Sequence, residues 1–403
     1  MDIVIVGGGI GGAALGCALA EAGLGVTILE ASTEYADRVR GESMAVWGVA
    51  EAKALGVEPV LLEAGAHVAP SWLTLNEDGS LRSEIPMGLL VEGVEGTLNL
   101  RHPVACQALL DAAAAHGANV IRGVGDVTIR PGAAPRVDWA VDGVADGVDT
   151  SLIVGADGRG STVRRQAGLS LERQDPISCI AGLLVEGLEG VDDSHDILMS
   201  DPDQYSLIFH QGEGRARSYL CTGVSGLRRF AGPDGAERFL ASCAPSVCPD
   251  VAALAAATPA GPCATYAGDD TWTDTPYADG VVLVGDSAGH NDPIIGQGLS
   301  IAMRDARQVR DLVLDGARTA EAFAPYGAER LERMRRLRLI ADVLAVVEAE
   351  DADNRPARRD AFVEAIGDPE GTLFPLMVGA FAGPEQIPDD FVDEAWPDRL
   401  RAG

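Results

Sequence analysis

The chain passes straight from an apolar run into glycines: Asp2 to Val6 is followed by Gly7-Gly8-Gly9-Ile10-Gly11-Gly12, and a second apolar run from Val26 ends on Glu30. Few folds accept that order. An unbroken apolar strand suits a parallel sheet covered on both faces, and the small residues from Ile10 to Ala22 suit a helix packed closely upon it. The spacing predicts a strand over 2–6, a helix over 10–22 and a strand over 26–29, a βαβ unit beginning at residue two. Within it Gly7, Gly9 and Gly12 form G-x-G-x-x-G, and Glu30 follows the last of them by eighteen residues. The first glycine permits the tight turn, the second lets backbone N–H groups approach a pyrophosphate, and the third lets helix and strand close up. Glu30 is placed to accept from a ribose hydroxyl. Phosphates would rest on the helix N-terminus, where unpaired N–H groups favour negative charge.

With 403 residues, 47% of them apolar and 23% charged, the chain can bury a large core divided among two or three lobes. A formal charge of −30 opposes nucleic acid and anionic lipid, so neither is an expected partner. No apolar run approaches the roughly 18 to 20 residues of a membrane span. The first one is interrupted by Gly7 before it could act as a signal peptide, and a cytoplasmic location is expected. Seven cysteines, scattered from Cys17 to Cys263 without a C-x-x-C pair, read as small buried hydrophobes, and no metal site is expected.

Further along, a helix is predicted from about Pro103 to His116, with strands near 119–127 and 137–141. Ser151 to Val154 forms another short apolar strand that ends on Gly155-Ala156-Asp157-Gly158. From about Ile177 the pattern alternates, in Ser178 to Leu188 and Gln204 to Gln211, which predicts a separate mixed or antiparallel sheet. Val281 restores the buried-strand pattern and leads into Gly285-Asp286, with a helix from Leu299. The stretch from Phe323 to Glu350 reads as an amphipathic helix with a solvated, arginine-rich face, and the last fifty residues as a short helical cap.

Three strand ends thus place a carboxylate in the turn (Asp157, Asp286) or at the end of the next strand (Glu30), and in an open α/β sheet ligands bind beyond such ends. On these motifs the chain resembles the class A FAD-dependent monooxygenase superfamily, with its para-hydroxybenzoate hydroxylase-like fold, over about residues 1–56, 98–165 and 280–314. The resemblance implies an α/β fold: a Rossmann-type FAD-binding domain in three pieces (1–70, 98–175 and 276–330), an inserted mixed or antiparallel-sheet substrate domain (71–97 and 176–275) and a C-terminal helical region (331–403).

It implies that Gly7, Gly9, Gly12 and Glu30 hold the adenosine half of FAD. Gly155, Asp157, Gly158, Ser161 and Arg164 would contribute to the FAD site and to pyridine nucleotide binding. Gly285, Asp286, Pro293, Gly296, Gln297 and Gly298 would take the ribityl and pyrophosphate and set a helix N-terminus against the flavin pyrimidine. Arg40 and Arg101 occupy places comparable to family arginines near the flavin edge and pyrophosphate, and Gln107 sits where a family helix often faces the cofactor. Two positions depart from the pattern: Gly289 stands where members often carry His, with His290 one residue later, and Ser300 stands where Asn is common. A catalytic role for that family His therefore does not transfer.

On the substrate side, Met44, Trp47, Tyr205, Phe209 and Tyr219 are candidate pocket residues, and His210 and His290 candidate acids or bases. At period two, Tyr205, Leu207 and Phe209 share one face of a strand and His210 the other, so only one set can line a pocket. The activity implied is hydroxylation of an aromatic or polyketide-like small molecule by oxygen through a flavin C4a-hydroperoxide, with NADPH or NADH as transient reductant. A separate flavin reductase remains open as the electron source. An FAD-dependent reductase or dehydrogenase of double bonds shares the same motifs, and a non-catalytic flavin-binding partner is a third reading. A tryptophan-type halogenase is disfavoured, because W-x-W-x-I-P is missing.

Overall fold

The computed structural model describes residues 2–402, so Met1 and Gly403, the outer bounds of the expected first and last regions, lie outside the described residues. Ile3 to Ile5 are fully buried, as the apolar run requires, because their strand Asp2–Val6 lies inside a six-stranded sheet. The sheet order is Tyr277–Ala278, Val281–Leu283, Leu152–Gly155, Asp2–Val6, Gly25–Glu30 and Asn119–Arg122. All pairs are parallel except the first. Ile5 stands between Ile28 and Val154, and Val154 opposite Val282, so the segments carrying the three glycine-rich turns lie side by side. Their turns converge at one edge.

Two glycines make that convergence possible. Gly7 has φ +108°, and a Cβ there would lie 2.3 Å from the Ala156 carbonyl oxygen. At Gly12 a Cβ would lie 2.0 Å from the Gly7 oxygen. Here the protein's own packing requires glycine.

A second, eight-stranded sheet stands over this edge. Its main path runs Thr258–Pro259, Glu172–Glu186, Ala216–Gly223, Tyr205–His210, His195–Ser200, Ser71–Leu75 and Leu81–Pro86, with Ala264–Trp272 paired to the long strand Glu172–Glu186. It is antiparallel apart from one parallel pair, His195–Ser200 with Ser71–Leu75, and so is mixed. The fold is α/β with this inserted sheet and C-terminal helices. Among the described residues no helix is long and apolar enough to cross a membrane.

The helix Ala320–Glu348 corrects one expectation. Its arginines do not form a solvated face: Arg330, Arg333 and Arg336 are all buried. Arg330 donates from Nη1 to the Ala288 oxygen (2.9 Å), from Nη2 to the Gly285 and Gly289 oxygens (3.1 and 2.9 Å) and from Nε to Asp305 Oδ2 (3.0 Å). Arg333 donates to Asp305 Oδ1 (2.7 Å), and Asp305 Oδ2 also accepts from the Gly285 N–H (2.8 Å). The arginine face points inward because the glycine turn offers carbonyls that no strand partner satisfies.

Burial pushes the Asp305 carboxyl up, but the Arg330 and Arg333 guanidiniums outweigh it and hold the group below the usual carboxylate range. A depressed folded-state value means that this stabilisation is present above pH about 4 and is lost as pH falls through the lowered value. Arg330→Ala removes the donor to three buried carbonyls and leaves Asp305 with Arg333 as its one remaining guanidinium, and is expected to cost about 3 to 5 kcal/mol in urea unfolding at neutral pH. A loss below about 1 kcal/mol would mean that the turn holds itself.

Candidate functional site

At the converging strand ends lies a cavity of about 1170 Å³, lined by Gly7, Gly9 and Gly12, by Glu30 and Arg40, by Asp157 to Gly160, and by Asp286, His290 and Pro293 to Gly298. Phe209 and Tyr219 of the second sheet close its far side. Glu30 is set by its own backbone: one carboxylate oxygen accepts from Gly8 N–H and the other from Ser32 N–H, each at 2.7 Å. The oxygens keep further lone pairs for a ligand hydroxyl. Asp286 is half-buried and meets Arg159 Nε at 3.4 Å.

The glycines of this cavity divide into two kinds. Gly7 and Gly12 are required by packing. At Gly9, Gly41, Gly160 and Gly298 the backbone is not left-handed, and a Cβ would meet no atom within 4 Å. Nothing in the protein forbids a side chain there, and each of these positions faces the cavity. A ligand lying flat on the backbone supplies the missing reason. This is the fit expected of a dinucleotide at Gly9, on the N-terminus of Ile10–Glu21, and of a flat ring at Gly298, on the N-terminus of Gly298–Leu314.

The turn before Gly298 is held from behind. Tyr205 donates to the Ile294 oxygen at 2.8 Å, Trp47 Nε1 to Gln297 Oε1 at 2.8 Å, and Gln297 Nε2 to the Ile295 oxygen at 2.7 Å. Asp292 accepts from Ile294 N–H and from Ser178. Trp47, Met44 and Tyr205, expected in the pocket, are instead buried behind its wall, whereas Phe209 and Tyr219 line it. The odd face of the strand Tyr205–His210 meets the cavity at Leu207 and Phe209. His210 points away from it, toward His195 at 6.1 Å, and burial lowers its pKa to about 4.

Asp157 lines the cavity but spends its carboxylate on its own turn, and the remaining expected cofactor residues lie one step back. Asp157 accepts from Ser161 Oγ and from the N–H groups of Thr162 and Val163, capping the helix Thr162–Gln166. Arg164 donates to the Ser287 and Arg159 oxygens and ties two glycine turns together. Gly155 sits in its strand, where a Cβ would meet Leu283 and Val163. Gln107 accepts from Arg122, whose guanidinium stacks over the cavity-lining Tyr35 ring at 4.5 Å. Arg101 is exposed just before the helix His102–Ala115 and does not line the cavity.

Both departures from the family pattern have a physical reason. Gly289 has φ +107°, and a Cβ there would lie 2.3 Å from the Thr271 oxygen, so the imidazole can only come from position 290. His290 lines the cavity, with Nδ1 2.8 Å from Thr271 Oγ1 and Nε2 3.3 Å from Asp269; burial, reinforced by Arg159, lowers its pKa. Ser300 is buried against Gly48, where two helices cross too closely for a longer side chain.

Sequence reasoning passed over Arg159, His102 and Glu42, which all line the cavity. Burial lowers the His102 pKa to about 4, so its imidazole is neutral. Glu42 is fully buried and accepts from Arg217, Gln211 and the His102 N–H. The available signal was Arg159 inside A-D-G-R-G-S; nothing local marked Glu42, whose partners lie 60 to 175 residues away.

A sequence profile described as "FAD binding domain" matches residues 1–338. A digeranylgeranylglycerophospholipid reductase of Methanothrix thermoacetophila is 27% identical over 340 residues, covering 79% of this chain and 79% of its own. The 3-demethoxyubiquinol 3-hydroxylase of Escherichia coli K12 is 26% identical over 357 residues, 83% of this chain and 85% of its own. Among solved structures, p-nitrophenol 4-monooxygenase PnpA of Pseudomonas putida DLL-E4 shares the fold, with a TM-score of 0.76 over 96% of this chain and 97% of that one at 18% identity.

Two tests follow from the geometry. Gly9→Val and Gly298→Val should fold with near wild-type stability yet bind FAD at least about tenfold more weakly, whereas Gly12→Val should not fold. Equilibrium dialysis with FAD, beside thermal melts, reads both; wild-type affinity in the first two would remove the ligand from those glycines. The second test concerns Asp270, which accepts from the cavity-lining Asn291 at 2.7 Å and whose carboxyl burial pushes up to about 7. Its folded form holds a proton that the unfolded chain releases near pH 4, so this group destabilises the fold increasingly as pH rises from about 4 to 7. Asp270→Asn should therefore raise the melting temperature at about pH 8 and change it little at about pH 5.

Proposed function

Since the chain belongs to the FAD binding domain family, and is on that ground an FAD-dependent oxidoreductase, we propose that it is an NAD(P)H-dependent monooxygenase that hydroxylates an electron-rich small molecule, aromatic or polyketide-like. The observation carrying this reading is the shared cavity. The open glycines and the N-terminus of Gly298–Leu314 lie on one side of it and a water-excluding face of Leu207, Phe209 and Tyr219 on the other. When bound and reduced, FAD supplies the electrons and the site for oxygen.

The chain's own residues bind, orient and exclude water. Gly9 and the helix behind it would take the pyrophosphate, Glu30 the adenosine ribose and Asp286 the ribityl side. The dipole end at Gly298 favours negative charge on the ring. His102 and His290, both with pKa values lowered by burial, present neutral imidazoles to the cavity. A second reading, reduction of a carbon–carbon double bond, draws support from the similarity to the Methanothrix reductase.

The two readings separate on oxygen. A monooxygenase takes up oxygen, oxidises NADPH or NADH and forms hydroxylated product in equal amounts when substrate is present. A reductase consumes the nicotinamide without oxygen and works under argon. Asp286→Ala should weaken FAD binding by about 1 to 3 kcal/mol, the usual range for a charge-assisted hydrogen bond. Its turnover should recover when FAD is added in excess. Unchanged affinity would make Asp286 a partner of Arg159 alone.

A further inference from the structure

The cavity continues past the flavin side into a part of the chain that the FAD binding domain does not include. That match ends at residue 338, yet Leu344, Phe374, Met377 and Phe381 all line the cavity. An aromatic row forms its wall. Phe381 lies 4.8 Å from Trp72, Trp72 5.9 Å from Phe209, and Phe209 5.8 Å from Tyr219, whose hydroxyl donates to the Arg40 oxygen. The row therefore runs unbroken from the C-terminal helices to the loop beside the cofactor glycines.

The helix Leu373–Ala382, LFPLMVGAFA, carries no polar side chain. Leu373 and Leu376 are buried, Met377, Val378 and Phe381 meet the cavity, and Phe374 does so while remaining 49% exposed. A surface helix that is apolar on more than one face has a second apolar neighbour to cover. The charged residues at this end are closed on one another. Glu348 is fully buried, 3.6 Å from Arg82 and 3.0 Å from Arg359, and accepts from Ser200. Arg82 also donates to Asn76. Arg359 also pairs with Glu77, so among the described residues of this cluster two guanidiniums meet two carboxylates and no net charge faces a charged ligand end.

We propose that the substrate carries a long, uncharged apolar chain that lies along the row from Tyr219 to Phe381, under the helix Leu373–Ala382, with its reacting end at the Pro293 to Gly298 turn. This rests on the monooxygenase reading for the chemistry, and on the cavity alone for the binding. The helix Leu373–Ala382 then sets how long a chain is accepted.

The probe is a series of neutral n-alkylphenols, from ethyl to octyl, titrated into the FAD-loaded full-length protein without nicotinamide and followed by the flavin absorbance. Each added methylene should tighten the dissociation constant about fourfold, the effect of burying one CH₂ group. Chains ending in a carboxylate should lose that gain. Met377→Asp should flatten the series, and Val378→Trp should stop it at a shorter chain, both with wild-type flavin content and circular dichroism. A flat series in the wild-type protein overturns the proposal, and so does a gradient that neither variant alters. Oxygen uptake is measured separately: a steep gradient without substrate-coupled oxygen consumption would retire the monooxygenase reading and leave the apolar arm standing.

Discussion

The site depends on one buried guanidinium. Arg330 reaches from the helix Ala320–Glu348 to three carbonyls of the turn Gly285–Gly289 and to Asp305, which in turn accepts from the Gly285 N–H. At the end of a strand the backbone runs out of ladder partners, and the turn's one hydroxyl, Ser287, is spent on the Gly155 and Val284 oxygens. A planar fork of five donors satisfies several carbonyls at once, which a lysine ammonium could not do with the same geometry. The charge so buried needs its counterion, and Asp305 is fully enclosed beside it. Removing either partner would release the turn that carries Asp286.

From that anchor the support spreads outward in layers. Behind the turn at Pro293 to Gly298 stand Tyr205 and Trp47, hydrogen-bonded to its backbone and to Gln297. Arg164 joins the Asp157 turn to the Asp286 turn. These residues position atoms that face the cavity without facing it themselves, and such second-layer contacts give a bound ring a defined seat. The two sheets are also joined by charge: Arg217 in the upper sheet pairs with Glu42 and Asp37 in the loop beneath. A displacement of one sheet against the other would break buried hydrogen bonds as well as apolar contact.

Much of the parallel sheet was legible in the sequence, for a physical reason. A strand buried on both faces is apolar throughout, a helix tight upon it is small throughout, and the turn between them must be glycine, so local composition reports the structure directly. Glu30, Gly9, Asp286 and Gly298 were readable because motif spacing and strand ends place them together. The substrate side was less readable. Tyr205 and Trp47 are aromatic residues beside the right turns, but whether such a ring enters the cavity or braces its wall depends on neighbours 89 and 250 residues away. His210 was decided by strand parity alone: with Phe209 facing in, the next side chain faces out.

The sequence by itself determined the βαβ opening and the order of the three glycine turns, since each follows from local backbone demands, while the cofactor they suit was implied by the resemblance of their motifs to a known family. Tertiary structure alone decided where the charges and the apolar C-terminus belong. An arginine-rich helix looks solvated until a turn with unsatisfied carbonyls is set against it, and LFPLMVGAFA looks like a cap until Trp72 and Phe209 stand opposite. Both outcomes depend on partners distant in the chain, and burial, which reverses the meaning of a charge, is not a local property of any segment.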